Sequence, residues 1–199
     1  MADLEKTGKN LEGRGFRVHR FASGAEAAEF LVQTLHGTSI GIGGSVTVDT
    51  LGVYDRLCGS NEVFWHWKNH APETRERAGK AKTYLCSANG VSENGEIVNI
   101  DGFGNRVAGT IYGPERVFLV VGRNKIAPDL TGAIDRARNI AAPLNARRLN
   151  RHTPCAVGEP RCHDCRSPEK VCGVMTVFFM PPTSIKEFHV LLVNEDLGY

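Results

Sequence analysis

The chain has 199 residues, of which 41% are hydrophobic and 23% are charged, and its formal net charge is +2. These proportions exclude a disordered or low-complexity chain and leave room for one sizeable core. The small net charge does not favour nucleic acid as a partner, because binding to a polyanion requires clustered Lys and Arg.

The start of the sequence lacks the features of a targeting signal. Its first six residues, Met-Ala-Asp-Leu-Glu-Lys, contain no basic region followed by an apolar core. No later run approaches the roughly eighteen apolar residues of a membrane-spanning helix. We therefore expect a cytoplasmic protein without a membrane span. In that reducing compartment, the six cysteines are expected to be free thiols, metal ligands or redox groups more often than structural disulfides.

The opening part of the chain predicts alternating helices and strands. A short helix or a frayed end over residues 1–15 precedes residues 16–21, whose alternation of apolar and basic side chains is typical of an edge strand. Ser-Gly-Ala-Glu at residues 23–26 is a capping box, and the helix that it begins is expected to end at Gly37. A short strand through Ile40 then leads into a glycine-rich turn.

That turn, Gly-Ile-Gly-Gly-Ser-Val-Thr at residues 41–47, is the best candidate in the sequence for a ligand site. Its three glycines leave backbone N–H groups unshielded, and a predicted helix over residues 48–57 adds partial positive charge at its N-terminus. Both features suit an anionic group. The spacing matches neither the dinucleotide fingerprint nor the ATP P-loop. A tight strand-to-helix turn that needs glycine for packing is an equally good interpretation.

The middle of the chain continues the alternation. Strands are predicted at residues 63–65 and 83–87, on either side of a short charged helix over residues 72–80. Residues 96–100 lie between Asn-Gly and Asp-Gly turn dipeptides, which indicates a short hairpin arm. Because each strand and its crossover helix bury one another's apolar faces, the alternation predicts an α/β domain with a largely parallel central sheet.

The continuous apolar run at residues 117–121 predicts the central strand of that sheet. Residues 128–129, Pro-Asp, then begin a helix whose apolar face is expected to extend to Ile140. Ligands of open α/β sheets bind beyond the carboxyl ends of the strands. Asn124 and Lys125, which follow the central strand, are therefore expected on the same rim as the glycine turn.

Two further segments lead to the end of the sequence. Residues 136–152 form a locally basic stretch, in which at least half of the arginines are expected on solvated helix faces and the others near an anion. Residues 174–179 and 188–193 are rich in β-forming side chains and lie on either side of a Pro-Pro dipeptide. They predict that the chain closes with a pair of strands.

Four of the six cysteines form a C-x6-C-x2-C-x6-C pattern in a loop rich in proline, glycine and charge: Cys155, Cys162, Cys165 and Cys172. Four thiolates so close together can share tetrahedral zinc or an iron–sulfur cluster. The pattern matches neither the paired knuckles of a zinc ribbon nor the common ferredoxin run, so the metal stays open. A reactive dithiol at Cys162 and Cys165 and an incidental cysteine loop are the alternatives. Cys58 and Cys86 are not expected to join this group.

Several motifs, in the same order along the chain, resemble a known protein family. They are the glycine turn, the segment 87–106 with its Ser-Ala-Asn-Gly and Asn-Ile-Asp-Gly-Phe-Gly-Asn-Arg, Val-Gly-Arg-Asn-Lys-Ile at 121–126, Ala-Ala-Pro-Leu-Asn-Ala at 141–146, the cysteine loop and the final Asn-Glu-Asp-Leu-Gly-Tyr. Together they resemble a single-domain member of the lactate-utilisation (LUD) domain family with a cysteine-rich insert at residues 153–173. The resemblance covers nearly all of the chain after the first helix.

The resemblance implies one Rossmann-like, three-layer α/β domain over residues 1–199, of the kind shared by glucosamine-phosphate deaminases, ribose-5-phosphate isomerases and CoA transferases. In those relatives a glycine-rich loop after an early strand holds a phosphate or CoA group. The resemblance also implies a role in using lactate or a related organic acid. The catalytic carboxylates of the deaminases, isomerases and CoA transferases do not carry over clearly to this sequence. Larger LUD relatives take part in lactate oxidation alongside iron–sulfur subunits, whereas this short form lacks their separate ferredoxin-like cysteine runs.

We therefore predict a site for a small anionic metabolite that carries a phosphate, CoA-type or carboxylate group. The residues predicted to form it are Gly41, Gly43, Gly44, Ser45, Thr47, Asn89, Asp101, Asn105, Arg106, Asn124 and Lys125. The four clustered cysteines are predicted to bind one shared zinc ion or iron–sulfur cluster. Two functions stay open: an enzyme or its substrate-binding part, and a metal- or cluster-bearing accessory protein that works with an iron–sulfur redox subunit. No nucleophile–base pair is recognisable, so no catalytic residue is assigned.

Overall fold

The computed structural model describes residues 3–199 and contains two β-sheets. The larger sheet has six strands, all parallel, in the spatial order β1-β10-β7-β4-β2-β3. Its strands are β1 (Arg17–Phe21), β2 (Ser39–Ile42), β3 (Glu62–Trp65), β4 (Thr83–Ser87), β7 (Arg116–Gly122) and β10 (Glu187–Val193), and the other four are β5 (Gly90–Ser92), β6 (Ile97–Asp101), β8 (Ile126–Ala127) and β9 (Val174–Phe178). The predicted parallel α/β fold is confirmed.

The helices connect these strands and cover the larger sheet. They are α1 (Leu4–Gly13), α2 (Gly24–Thr34), α3 (Val46–Thr50), α4 (Tyr54–Cys58), α5 (Thr74–Gly79), α6 (Asn105–Ile111), α7 (Leu130–Arg136), α8 (Ala142–Arg148) and α9 (Pro154–Val157), with a 3₁₀ turn at Arg123–Lys125 and a π-helical segment at Ala137–Ala141. Within residues 3–199, none of these helices combines the length and the hydropathy that crossing a bilayer requires.

Strand β7 shows why the core has two apolar layers. Its Phe118 and Val120 lie on one face of the sheet with Leu31 of α2, whereas Leu119 lies on the opposite face with Leu11 of α1. Successive side chains of a strand alternate between faces, and every one of these side chains is buried. A strand that is apolar at consecutive positions therefore needs cover on both sides, as was expected for residues 117–121.

The smaller sheet was not predicted as a unit. The expected hairpin forms, because β5 and β6 pair antiparallel around the turn at Gly95. On its other side β6 pairs antiparallel with β9, and β8 pairs with β5. The two closing strands form as predicted, but they do not pair with each other. β9 belongs to the smaller sheet, whereas β10 crosses to the larger one and lies between β1 and β7.

The prediction of one continuous helix over residues 48–57 is wrong. The chain forms α3 and α4 instead, separated by Gly52, whose φ of +65° lies in the left-handed region that ends a helix.

The helix that begins after Asp129 also differs from the expectation, at its C-terminal end. The π-helical turn at Ala137–Ala141 changes the phase of the apolar face. Ile140 is consequently 46% exposed rather than part of the core.

The segment expected as a short helix or a frayed end over residues 1–15 is a helix, α1. The carboxylate of Asp3 accepts a hydrogen bond of 2.9 Å from the backbone N–H of Lys6 and caps its first turn. Residues 1 and 2 of that expectation lie outside the described part of the chain.

Candidate functional site

A cavity of about 860 Å³ opens at the carboxyl ends of the central parallel strands. The segments that follow β2, β3, β4 and β7 all contribute residues to its lining. These strands run in the same direction, so the segments that follow them lie at one edge of the sheet. The glycine turn and Lys125 are therefore on the same rim, as the sequence predicted.

Eight of the residues predicted for the anion site line this cavity: Gly44, Ser45, Thr47, Asn89, Asp101, Asn105, Arg106 and Lys125. Gly41, Gly43 and Asn124 do not line it. The most buried polar side chains of the lining are Ser45, Thr47, Ser87 and Lys125, which identifies its deep end.

Gly41 and Gly43 have packing roles beneath the cavity. A Cβ atom on Gly41 would lie 2.0 Å from the carbonyl oxygen of Ala78 in α5, so only glycine allows this helix to pack against β2. A Cβ atom on Gly43 would lie 3.0 Å from the hydroxyl of Tyr84. The N–H of Gly43 donates to Leu85 at 3.1 Å and is not available to a ligand.

Asn124 positions another part of the cavity wall. Its Oδ1 accepts a hydrogen bond of 3.1 Å from the N–H of Leu197, and its Nδ2 donates to the carbonyl of Gly198 at 3.1 Å. These two bonds hold the segment that carries Tyr199 into the lining.

The turn between β2 and α3 offers backbone donors rather than a strong helix dipole. Among the described residues, the N–H groups of Gly44 and Ser45 have no protein acceptor. The hydroxyl of Ser45 is occupied, since it accepts a hydrogen bond of 3.2 Å from the N–H of Val48 and caps α3. With only five residues, α3 adds less positive charge than the longer helix expected from the sequence.

Lys125 lies at the deep end of the cavity and is 2% exposed. Its Nζ donates to Thr47 Oγ1 at 2.7 Å, to Ser87 Oγ at 2.8 Å and to the carbonyl of Ala88 at 3.2 Å. Three acceptors match the three N–H groups of an ammonium. Burial, with Arg136 and Arg106 nearby, holds the pKa of Lys125 well below its usual range.

Arg106 of α6 extends toward the ends of β4 and β6. Its guanidinium donates to the carbonyl of Ser87 at 3.0 Å, to Asn99 Oδ1 at 3.1 Å and to Asn89 Oδ1 at 2.6 Å, and also to the carbonyl of Ile100. All of these acceptors are uncharged. The network fixes the side chain without neutralising it.

The carboxylate nearest to Arg106 in the sequence, Asp101, has a structural partner of its own. Its Oδ2 accepts hydrogen bonds from the backbone N–H groups of Arg106 at 3.0 Å and Val107 at 3.3 Å. It thereby caps the first turn of α6, whose preceding residue, Gly104, has a φ of +92°.

Positive charge therefore accumulates at the deep end of the cavity. Within residues 3–199, neither Lys125 nor Arg106 forms a salt bridge, and the buried Arg136 behind them forms none either. Arg136 donates to the carbonyls of Asn124 and Asn89. Its burial lowers its pKa to about 10.

The complete lining has the same sign of charge. Its basic residues are Lys68, Arg75, Arg106, Lys125, Arg148, Arg151 and Lys170, and its acidic residues are Asp49, Asp101 and Glu169. Asp49 is paired with Lys68 at 2.9 Å. The arrangement can attract and hold an anion.

The cysteine-rich segment borders a second cavity, of about 320 Å³, which is lined by Cys155, Cys162, Cys165 and Cys172 together. All four thiols are free and partly exposed. Arg138 Nη2 and the N–H of Asp164 donate to Cys162 Sγ at 3.3 and 3.4 Å. Burial raises the pKa of Cys172, and the other three thiols add to that shift while Lys170 opposes it.

These thiols share a cavity without forming a finished site for a single ion. Within residues 3–199, no three His, Cys, Asp or Glu side chains converge closely enough to hold one metal ion. Cys58 and Cys86 lie elsewhere: Cys58 is exposed at the end of α4, and Cys86 is buried in the core.

The match to known proteins agrees with this architecture. A model of the LUD domain matches residues 4–193. The chain belongs to the LUD domain family. A crystal structure of a DUF162 family protein from Deinococcus radiodurans resembles this LUD domain over 96% of this chain and 95% of that one, with a TM-score of 0.56 and 14% sequence identity. At that identity the likeness shows the fold alone. A comparison with curated proteins found no match.

Three residues on the wall of this LUD domain's cavity were missed by the sequence analysis. The guanidinium of Arg148 lies 4.5 Å from the ring centre of Trp67, and its Nε donates to the hydroxyl of Tyr199 at 2.7 Å. Trp67 follows the end of β3, which was the available signal. Arg148 belonged to a basic stretch that gave no indication of which arginines line the cavity.

His66 is a further residue of the lining that the sequence did not indicate. Among the described residues, its buried Nδ1 has no hydrogen-bond partner. Burial lowers its pKa, and Arg75 acts in the same direction. A neutral imidazole at this position can accept or donate one hydrogen bond to a bound molecule.

Proposed function

We propose that this LUD domain protein binds a small anionic metabolite of organic-acid utilisation, lactate or a related acid, in the larger cavity. The charged group of the metabolite lies at Lys125, Arg106 and the N–H groups of Gly44 and Ser45. The observation that carries the proposal is the cluster of basic side chains at the deep end of the cavity that has no acidic partner.

The energetic argument rests on charge burial. A buried cation without a counterion is unfavourable, and here Lys125 has two further cations close to it. Neutral hydrogen-bond acceptors satisfy its N–H groups but not its charge. A bound carboxylate or phosphate offsets that cost, and its oxygens accept charge-assisted hydrogen bonds. The folded protein therefore contains a destabilising cluster of positive charges, which a bound anion stabilises.

The rest of the cavity supports a ligand larger than its anionic group. Trp67 presents an aromatic surface held by Arg148, and Lys68, Arg75 and Lys170 are basic residues of the same lining. A sugar phosphate or a CoA-type molecule uses such a surface beyond its charged end, whereas lactate occupies only the deep end. The shared chemistry is an anionic oxygen group, and a ligand panel separates the three classes.

The test is the thermal stabilisation and binding isotherm of the protein with L-lactate, ribose 5-phosphate and CoA, measured separately. We expect at least one of them to bind, and we expect Lys125→Met to weaken its binding by more than about 20-fold through loss of a buried charge-assisted contact. The same variant should melt at a higher temperature than the wild type without ligand, because removing a fully buried, unpaired charge outweighs the loss of its three hydrogen bonds to neutral acceptors.

Arg123→Met is the matched control. Arg123 lies in the same turn as Lys125 but is exposed and paired with Asp196 at 2.9 Å, outside the cavity. The Arg123→Met variant should bind the ligand as tightly as the wild type does. Equal weakening by both variants, or binding that is unchanged in Lys125→Met, would contradict the proposed site.

A second candidate function follows from the four cysteines that share the smaller cavity. A metal- or cluster-bearing accessory protein would use that cavity as its centre and work beside an iron–sulfur redox subunit in the reducing cytoplasm. Protein purified without oxygen distinguishes the two functions: colour and bound iron without any response to the three anions favour the accessory function.

A further inference from the structure

Beside the anion cavity lies the smaller cavity, which is bordered by Cys155, Cys162, Cys165 and Cys172. The four residues come from α9 and from the irregular segment that precedes β9, yet they line one space. The other two cysteines of the chain lie away from it. Four thiols of one chain segment around a single cavity indicate a shared ligand rather than incidental thiols.

The arrangement of the four thiols favours one of the two metal centres that the spacing left open. Tetrahedral zinc requires four sulfurs at about 2.3 Å from one point. Within residues 3–199, the side chains do not converge in that way, and the cavity that the thiols border has a volume of about 320 Å³. In an iron–sulfur cluster the thiolates bind two or more iron atoms and surround a body of iron and sulfide. A cavity of this volume between the thiols leaves room for such a body.

The surroundings of the sulfurs fit the same group. Arg138 and the N–H of Asp164 donate hydrogen bonds to Cys162 Sγ, and the hydroxyl of Thr153 lies 3.3 Å from Cys155 Sγ. Hydrogen bonds to cysteine sulfur stabilise iron-bound thiolates and tune the reduction potential of a cluster. Lys170 adds a second positive charge at the cavity, which offsets the charge of the thiolates.

Part of the lining of this cavity is apolar. Ile100, Ile134, Ala142 and Met175 border the cavity on the side of the domain core. An apolar wall limits the access of water and oxidants to a cluster, and such a wall is unnecessary for a surface thiol pair that exchanges disulfides.

We propose that Cys155, Cys162, Cys165 and Cys172 bind one iron–sulfur cluster. This proposal is independent of the anion site, and it specifies the centre on which the second candidate function rests. It concerns binding of the cluster to these residues and assigns no reaction to it.

The experiment uses full-length protein purified under anaerobic conditions from cells supplied with iron. We expect iron and acid-labile sulfide in about equal amounts, two to four of each per chain, and a visible absorption band that bleaches on reduction. Cys162→Ser and Cys165→Ser should each lose at least about three-quarters of the iron, whereas the exposed Cys58→Ser, outside the cavity, should keep it.

Two further measurements prevent a folding defect from being mistaken for support. Circular dichroism must show that the serine variants retain the wild-type secondary structure, and Arg138→Met, which keeps all four thiols, should retain iron but lower the reduction potential by removing a positive donor to Cys162. Less than a tenth of an iron per folded chain with freely alkylated thiols overturns the proposal. One equivalent of zinc without sulfide, or disulfides in the anaerobic protein, overturns it equally.

Discussion

In the larger cavity the ammonium of Lys125 has three oxygen partners and the guanidinium of Arg106 has four acceptors. In the four-cysteine cavity, by contrast, hydrogen bonds within the described residues reach the sulfurs of Cys162 and Cys155 but leave the four thiols spread around an open space. The two cavities adjoin each other, and Ile100, Lys170 and Val171 line both.

The difference follows from the elements that carry each set of residues. Lys125 follows the end of β7 in the parallel sheet, and Arg106 lies in the first turn of α6, just after β6 of the smaller sheet, so regular elements fix the backbone at both residues. The cysteines lie on a four-residue helix and on irregular chain, where few backbone hydrogen bonds hold them. A site of the first kind is organised before its ligand arrives, whereas a site of the second kind gains its order from the ligand.

The largest expected effect that tests this difference between the two cavities is on folding stability. Arg106→Met removes the donor of four hydrogen bonds and should lower the free energy of unfolding by about 2–4 kcal/mol, because four partly buried acceptors lose a charged donor. Cys162→Ala, compared with chelator-treated wild type, should change it by less than about 0.5 kcal/mol. Urea unfolding of the metal-free proteins measures both.

Arg148→Met serves as the control within the larger cavity, since it removes the same charge from the wall and loses the contact with Trp67, worth about 0.5–1 kcal/mol. If Cys162→Ala destabilises the metal-free protein as much as Arg106→Met does, the cysteine segment is organised by the fold and the distinction between the two regions is wrong.

The sequence predicted the organised region better than the other one. The apolar run before Lys125 identified a central strand, and strand direction alone placed Lys125 beside the glycine turn. The roles of Gly41 and Gly43 could not be predicted, because a packing glycine and a ligand-binding glycine look alike until α5 is in place. Trp67 and Tyr199 are brought to the same cavity wall, where both contact Arg148, only by the tertiary fold, so no local sequence pattern predicts their role.

The pH dependence of folding stability should also distinguish the larger cavity from the four-cysteine cavity. Without ligand, the pKa of Lys125 lies below its unfolded value of about 10.4, so the folded protein holds fewer protons than the unfolded chain between those two values. Stability should therefore fall as the pH falls through that window, and Lys125→Met should lack this part of the pH dependence.

Anion binding should show the opposite trend, because a bound anion raises the pKa of the ammonium that it contacts. Affinity should fall as the pH rises through the pKa of Lys125, by at most about tenfold per pH unit for one proton. Calorimetric titrations from pH 6 to pH 9 measure the slope, with Arg123→Met as the variant that keeps it. A slope that persists in Lys125→Met would assign the effect to another group.

The smallest expected effect is a coupling between the two cavities. Lys170 and Val171 follow Cys165 and precede Cys172, so the same short segment lines both spaces. On its other side Val171 packs closely against Gly102, where an added Cβ would lie 2.8 Å from the Cα of Val171. Gly102 follows Asp101, which caps the helix that carries Arg106. We therefore expect order imposed on the cysteines to reach the anion site through this packed backbone.

We expect the metal-loaded protein to bind its anion about fivefold more tightly than the metal-free protein, a coupling near 1 kcal/mol. Linkage requires the reverse effect to be equal, so saturating anion should raise the affinity for the metal centre by the same factor, which a chelator competition measures. Cys58→Ser should show the full coupling and Cys172→Ala none. Equal anion affinity with and without metal would mean that the shared wall is rigid by itself, and the cysteine segment would then belong to the organised part of the fold.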